Sequence, residues 1–213
     1  MDGMSDDSPD LKAVYAPKTA EEARRFYDDW ADGYDAGFAT REDYRLHVET
    51  AHAFVEAGGQ GPVLDVGAGT GLCGAVLADL GVGPIDAVDI SEAMLAIAMR
   101  KDVYRDAIVT DLNQGVPVPH DSYAGIVSSG LFTLGHAGPE TIDGLLRVAR
   151  RGAQFALSIN ARHFEDAGFG SMFRTLESHR IRNLALPKRR IYGPRARGEH
   201  KDEVALIALF EKT

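Results

Sequence analysis

The run Val63-Leu64-Asp65-Val66-Gly67-Ala68-Gly69-Thr70-Gly71-Leu72 constrains the fold more than any other part of the sequence. A short apolar stretch ends in an acid and passes directly into alternating glycines. Glycine has no Cβ, so the backbone can turn through left-handed conformations and a ligand can lie against it. Val63–Val66 reads as a strand and Leu72–Leu80 as the helix behind it. The first turn of that helix offers its positive dipole end to a carboxylate or phosphate.

After Pro62, strands and helices alternate. Ile85–Asp89 reads as a second strand, and Ser91 caps a helix that carries Met94, Leu95, Ala98 and Met99. Ala107–Thr110 and Tyr123–Ser128 are the next strands, Glu140–Arg150 a helix and Gln154–Ile159 a fifth strand. Arg189–Tyr192 and Glu203–Phe210 read as a closing hairpin. This order predicts a doubly wound, mostly parallel α/β sheet with helices on both faces. Ahead of it, Ala23, Phe26, Tyr27, Trp30 and Tyr34 draw one aromatic stripe on a helix. A second helix is expected over Glu42–Glu56, with Tyr44, Val48, Ala51 and Val55 inward. The expected organisation is a disordered tail over 1–18, N-terminal helices over 19–60 and the α/β core over 61–213.

Composition narrows the function. A net charge of -9 opposes docking on a phosphate backbone or an anionic membrane. The single cysteine, Cys73, excludes an internal disulfide, reads as a small buried hydrophobe and suits a reducing cytoplasm. No apolar run is long enough to span a bilayer. The scattered histidines show no metal-ligand spacing.

The acids mark the binding edge. Asp89 ends the second strand, where it can accept from both hydroxyls of a ribose. Asp111 ends the third, where it can accept from an adenine amino group, with Leu112 as an apolar wall. Ser128 and Ser129 follow the fourth strand. Ligands bind at these carboxyl ends in open α/β sheets. VLDVGAGTG at 63–71, AVDIS at 87–91, TDL at 110–112 and SSGLF at 128–132 together resemble the class I methyltransferase family. FYDDWADGYD and SSGLFTLGHAGPE look closest to its small-molecule group that includes the Williams–Beuren-region methyltransferase-like proteins.

The resemblance implies a Rossmann-like, seven-stranded sheet with an antiparallel last strand and an N-terminal helical lid. It also implies S-adenosyl-L-methionine as cofactor, held by Asp65, Gly67, Ala68, Gly69, Gly71, Asp89, Ile90, Met94, Thr110, Asp111, Leu112, Ser128 and Ser129. Tyr27, Trp30 and Tyr34 would cover it. The expected activity is methyl transfer to a small-molecule acceptor, with neither nucleic acid nor membrane as partner; the acceptor atom and oligomeric state stay open. His136, Tyr192 and His200 are candidate bases. Arg195 and Arg197, in a locally basic loop, are candidates to clamp a carboxylate or phosphate of the acceptor.

Two alternatives remain open. The chain could bind S-adenosylmethionine without catalysis. Gly69-Thr-Gly71-Leu-Cys-Gly74 also satisfies G-x-G-x-x-G, with an acid, Asp89, at the ribose position, as in an NAD(P)-dependent oxidoreductase. The acid before the glycines, the further acidic stop at Asp111 and the lack of a substrate domain weigh against that reading.

Overall fold

A computed structural model describes residues 19–134, 136–197 and 200–213. The tail expected over 1–18 lies outside the described residues. The core is one mixed sheet. Its strands are β1 (Val63–Val66), β2 (Ile85–Asp89), β3 (Asp106–Val109), β4 (Tyr123–Phe132), β5 (Ala149–Asn160), β6 (Ile181–Ala185), β7 (Lys188–Arg190) and β8 (Val204–Lys212). They lie in the order β3-β2-β1-β4-β5-β8-β6, with β7 also on β8. β1 to β5 pair in parallel, and β8 runs antiparallel to β5, β6 and β7.

The sheet therefore has eight strands rather than seven. The expected sixth strand is two pieces parted at Leu186-Pro187. Proline has no N–H to donate to a ladder, although its carbonyl still accepts from Ile207 N at 3.0 Å. The piece expected at 189–192 is only the end of this broken strand.

The helices are α1 (Ala20–Trp30), α2 (Leu46–Glu56), α3 (Leu72–Asp79), α4 (Glu92–Met99), α5 (Ile142–Val148), α6 (Ala161–Asp166) and α7 (Phe169–Glu177). Thr19 caps α1 by accepting from Glu22 N. The aromatic stripe does not continue as one α-helix: a 3-10 turn over Ala31–Gly33 and a π-helical turn over Tyr34–Ala39 follow. The helix expected from Glu42 starts only at Leu46. Asp43 has φ 51°, and Tyr44 forms an antiparallel bridge with Tyr192. Tyr44 is thus held by a sheet-like contact, not on the inward face of a helix.

Adjacent residues on a strand point to opposite faces, and both faces of this sheet are covered. Leu64, Ile126, Phe155 and Phe210 pack with α5 and α7 on one side. Val63, Val127, Ala156 and Ile207 pack with α2, α3 and α4 on the other. A third cluster joins Trp30, Phe38, Leu46, Ile191 and Tyr192 at the sheet's carboxyl edge. The N-terminal segment thereby closes one end of the site.

Candidate active site

A cavity of about 250 Å³ opens at the carboxyl ends of β1 to β4. Gly67, Gly69, Asp89, Ile90, Met94, Thr110, Asp111, Leu112 and Ser129 line it. Gly67 and Gly69 have φ of 67° and 54°, the conformation glycine tolerates. A Cβ on Gly69 would meet nothing within 4 Å, so bare backbone faces open space there. Asp89 holds the loop in shape: its Oδ2 accepts from Gly69 N at 2.8 Å and its Oδ1 from Ser91 N at 2.9 Å. Each carboxylate oxygen keeps lone-pair capacity for a ribose hydroxyl. Burial raises the Asp89 carboxyl above its ordinary value. Asp111 Oδ1 accepts from Asn113 N and Nδ2, at 2.9 and 3.0 Å. That leaves Oδ2 for an adenine amino group. This donor and acceptor set fits S-adenosylmethionine.

Other sequence candidates lie behind the cavity wall. Asp65 is fully buried; Oδ2 accepts from Tyr104 Oη at 2.7 Å and Oδ1 has no partner. Burial is the largest influence on its carboxyl, which is pushed up to about 7. Ser128 is buried and donates to the Val66 carbonyl at 2.7 Å. Gly71 (φ 88°) and Gly74 face the Tyr104 ring. The last glycine of G-x-G-x-x-G makes room for the Tyr104 ring. Ala68 lies beside a small hollow with Tyr44 and His47.

The N-terminal segment reaches the same cavity with Tyr27 and Tyr34. Two acids fasten it. Asp28 accepts from Ser91 Oγ at 2.6 Å. Asp35 accepts from Thr70 Oγ1 at 2.5 Å and from Lys101 Nζ at 2.7 Å. Both bonds end on loops that frame the cavity.

A second, smaller cavity adjoins the first. It is lined by Tyr27, Trp30, Tyr34, Phe38, Tyr44 and Tyr192, with Gly130, Ser158 and Asn160 at the sheet edge. Trp30 and Tyr192 thus belong to this chamber, and Tyr27, Tyr34 and Gly130 to both.

The base candidates separate. His136 lines the first cavity and meets Tyr27 Oη through Nε2 at 2.9 Å. His200 Nδ1 is paired with Glu203 at 2.6 Å and lines neither cavity. Arg195 is committed to Asp43: its guanidinium and its backbone N–H both bond that carboxylate. The bond to Arg195 holds Asp43 below the ordinary carboxylate range. The Arg195 clamp expected from sequence is therefore occupied by an internal partner. Arg197 is exposed on the same loop and lines neither cavity. Asp43 and the acids at 28 and 35 are not among the sequence candidates, because they carry no local pattern; Tyr27, expected to cover the cofactor, lines its cavity. Among the described residues, no group of His, Cys, Asp and Glu side chains is placed to hold a metal, and no helix is long and apolar enough to cross a membrane.

Fold and cavity together have the layout of the class I S-adenosylmethionine-dependent methyltransferases. Residues 63–153 match the family described as a methyltransferase domain. An 18S rRNA (guanine-N(7))-methyltransferase from Bos taurus is 41% identical over 69 residues, which are 31% of this chain and 23% of that protein's length. The [4+2]-cyclase SpnF shares the fold with a TM-score of 0.67 at 15% identity, over 92% of this chain and 97% of that one. A methyltransferase from Thermotoga maritima gives 0.63 at 12% identity, over 89% and 98%. A chain from the complex of the Haloferax volcanii Trm112 methyltransferase activator gives 0.62 at 18%, over 87% and 96%.

Proposed function

We propose that this protein transfers the methyl group of S-adenosylmethionine to a small-molecule acceptor held under the N-terminal aromatic segment. The supporting observation is that a second cavity shares Tyr27, Tyr34 and Gly130 with the first, whose donor and acceptor set fits the cofactor. The sulfonium makes the methyl group electrophilic. The chain's own part is to hold cofactor and acceptor in line and to keep water out. Gly67 and Gly69 would cradle the methionine end, Asp89 the ribose, and Asp111, Leu112 and Met94 the adenine. In this reading residues 20–39 are a lid, fastened by Asp28 and Asp35.

Calorimetry with S-adenosylhomocysteine tests the cofactor half. Asp89→Ala is expected to weaken binding by about 1–3 kcal/mol, the usual cost of deleting a charged hydrogen-bond acceptor. Unchanged affinity would remove Asp89 from the site. Asp35→Ala should unfasten the lid. It is expected to speed proteolysis within 20–39 and to weaken S-adenosylhomocysteine severalfold. A variant with wild-type proteolysis and affinity would leave Asp35 without that role.

One observation favours a second reading, an RNA acceptor. The rRNA methyltransferase shares the 69-residue stretch, and an open groove here is lined by Arg45, Lys188, Arg189, Arg190 and Arg195. Against it stands the acidic whole, since phosphate contacts reward clustered cations over the entire docking face. Transfer of labelled methyl to ribosomal RNA, rather than to small molecules, would establish this alternative.

A further inference from the structure

We propose that the acceptor is an uncharged, flat aromatic molecule carrying a hydroxyl, and that Tyr27 and His136 remove the proton of that hydroxyl. The inference rests on the methyltransferase reading above and adds the substrate class and the base.

The second chamber sets the class. Aromatic rings form most of its wall, and among the described residues no charged side chain lines it. A carboxylate or ammonium placed there would lose its water without an opposite charge to replace it. Tyr27, Trp30, Tyr34 and Phe38 pack on one another, with centroids 4.9–6.2 Å apart, around a chamber of about 60 Å³, so a planar ring, which loses little water, would enter it edge-on from the first cavity and meet Tyr27 and Tyr34. Trp30 is buried, and its Nε1–H has no hydrogen-bond partner. Burying an unpaired donor costs free energy, and that cost is carried by the packed aromatic wall itself.

The junction of the two cavities sets the chemistry. Tyr27 lines both, and its Oη lies 2.9 Å from His136 Nε2. His136 Nδ1 lies 3.1 Å from the Leu134 carbonyl oxygen, which can only accept. Nδ1 therefore carries the ring proton, and Nε2 is the lone pair that accepts from Tyr27. Burial favours this neutral form. The other titratable groups around it leave it neutral. His163 on α6 bonds the Ala137 carbonyl, Glu140 is turned to Gly138 N, and Asp111 stands on the cavity wall with Asn113.

The step balances as follows. The acceptor O–H gives its proton to Tyr27 Oη, while Tyr27 gives its own to His136 Nε2. The acceptor oxygen forms a bond to the methyl carbon, the carbon–sulfur bond breaks, and its electron pair stays on sulfur as the neutral thioether. The products are an aryl methyl ether, S-adenosylhomocysteine and an imidazolium that loses its proton to solvent.

The test uses the full chain and labelled S-adenosylmethionine against matched one- and two-ring phenols, anilines, benzylamines and benzoates. Phenols are expected to be methylated and charged analogues to be poor acceptors. His136→Gln should lower kcat for a simple phenol about 100-fold or more, within the usual range of general-base effects, and Tyr27→Phe should lower it about 10-fold or more. On a nitrophenol, already largely ionised at pH 8 and therefore weakly bound by wild type and variants alike, both variants should approach the wild-type kcat, because no proton remains to be taken. Wild-type kcat/KM on the simple phenol should rise with pH through the His136 ionisation, and His136→Gln should lose that limb. Equal losses on ionised and un-ionised phenols would overturn the base assignment. Transfer confined to amines, carboxylates or RNA would overturn the substrate class while leaving the cofactor site standing. Failure to bind S-adenosylhomocysteine at all would instead sink the underlying reading.

Discussion

The stability difference between Asp65→Asn and wild type is expected to grow by roughly 4 kcal/mol, in favour of the variant, as pH rises from about 4 to 8. Asp65 is fully buried and its Oδ1 has no partner. Burial outweighs the Tyr104 hydrogen bond and, together with the nearby Asp89 charge, pushes the carboxyl from 3.8 to about 7. In that window the folded protein keeps the proton and the unfolded chain does not. Wild-type stability must therefore fall as pH rises through it, and the full cost is present above pH 7. Asparagine carries no such proton, so its contribution is flat. Its carbonyl can keep the Tyr104 bond, but its amide would replace Oδ1 without an acceptor. That is a pH-independent penalty of about 1–3 kcal/mol. Urea unfolding of both proteins across this pH range isolates the effect, since other titrations cancel in the difference. A flat difference would mean that Asp65 is ionised in the folded state throughout.

The case of Asp65 also shows where sequence reading stops. Its place at a strand end beside the glycines was legible, because an apolar run ending in an acid is a local pattern. The direction of its side chain was not. All four residues of β1 are buried, so the alternation that separates inward from outward faces is missing. Gly67, Gly69, Asp89, Asp111 and Leu112 were legible together because they sit at, or just beyond, the ends of three successive strands, β1 to β3, and Met94 because it lies on the capped helix after β2. The acceptor side has no such regularity. Tyr27 and His136 meet across 109 positions, and Arg195 and Asp43 across 152. Only the folded chain brings them together. β6 escaped notice because Ile-Arg-Asn-Leu-Ala is polar, lies at the sheet edge and includes Asn183 at φ 58°. Helix α7 buries Phe169 and Phe173 in the core with β5 and β8, and α6 buries His163, yet no strand–helix rhythm announces either helix.

Alanine at Gly69 and at Gly71 should separate binding from folding within one loop. Both glycines hold left-handed backbone, with φ of 54° and 88°, which costs an alanine about 1–2 kcal/mol. Their surroundings differ. A methyl group at Gly69 meets open space on the cavity wall. Stability should fall by that backbone term alone, while S-adenosylhomocysteine, which would share the space, should bind at least tenfold more weakly. A methyl at Gly71 would stand 2.8 Å from the Tyr104 ring and 3.0 Å from the Ala98 Cβ. Tyr104 cannot swing away without abandoning Asp65, to which it donates in a closed interior. Ala98 is fixed in α4 behind Asp89 and Met94. Overpacking of this kind adds about 1–3 kcal/mol, so Gly71→Ala should lose roughly 2–5 kcal/mol in all. Urea unfolding and calorimetry on the two variants read both effects. Equal destabilisation would mean that Tyr104 gives way freely. Wild-type affinity in Gly69→Ala would mean that the cofactor does not lie against this turn.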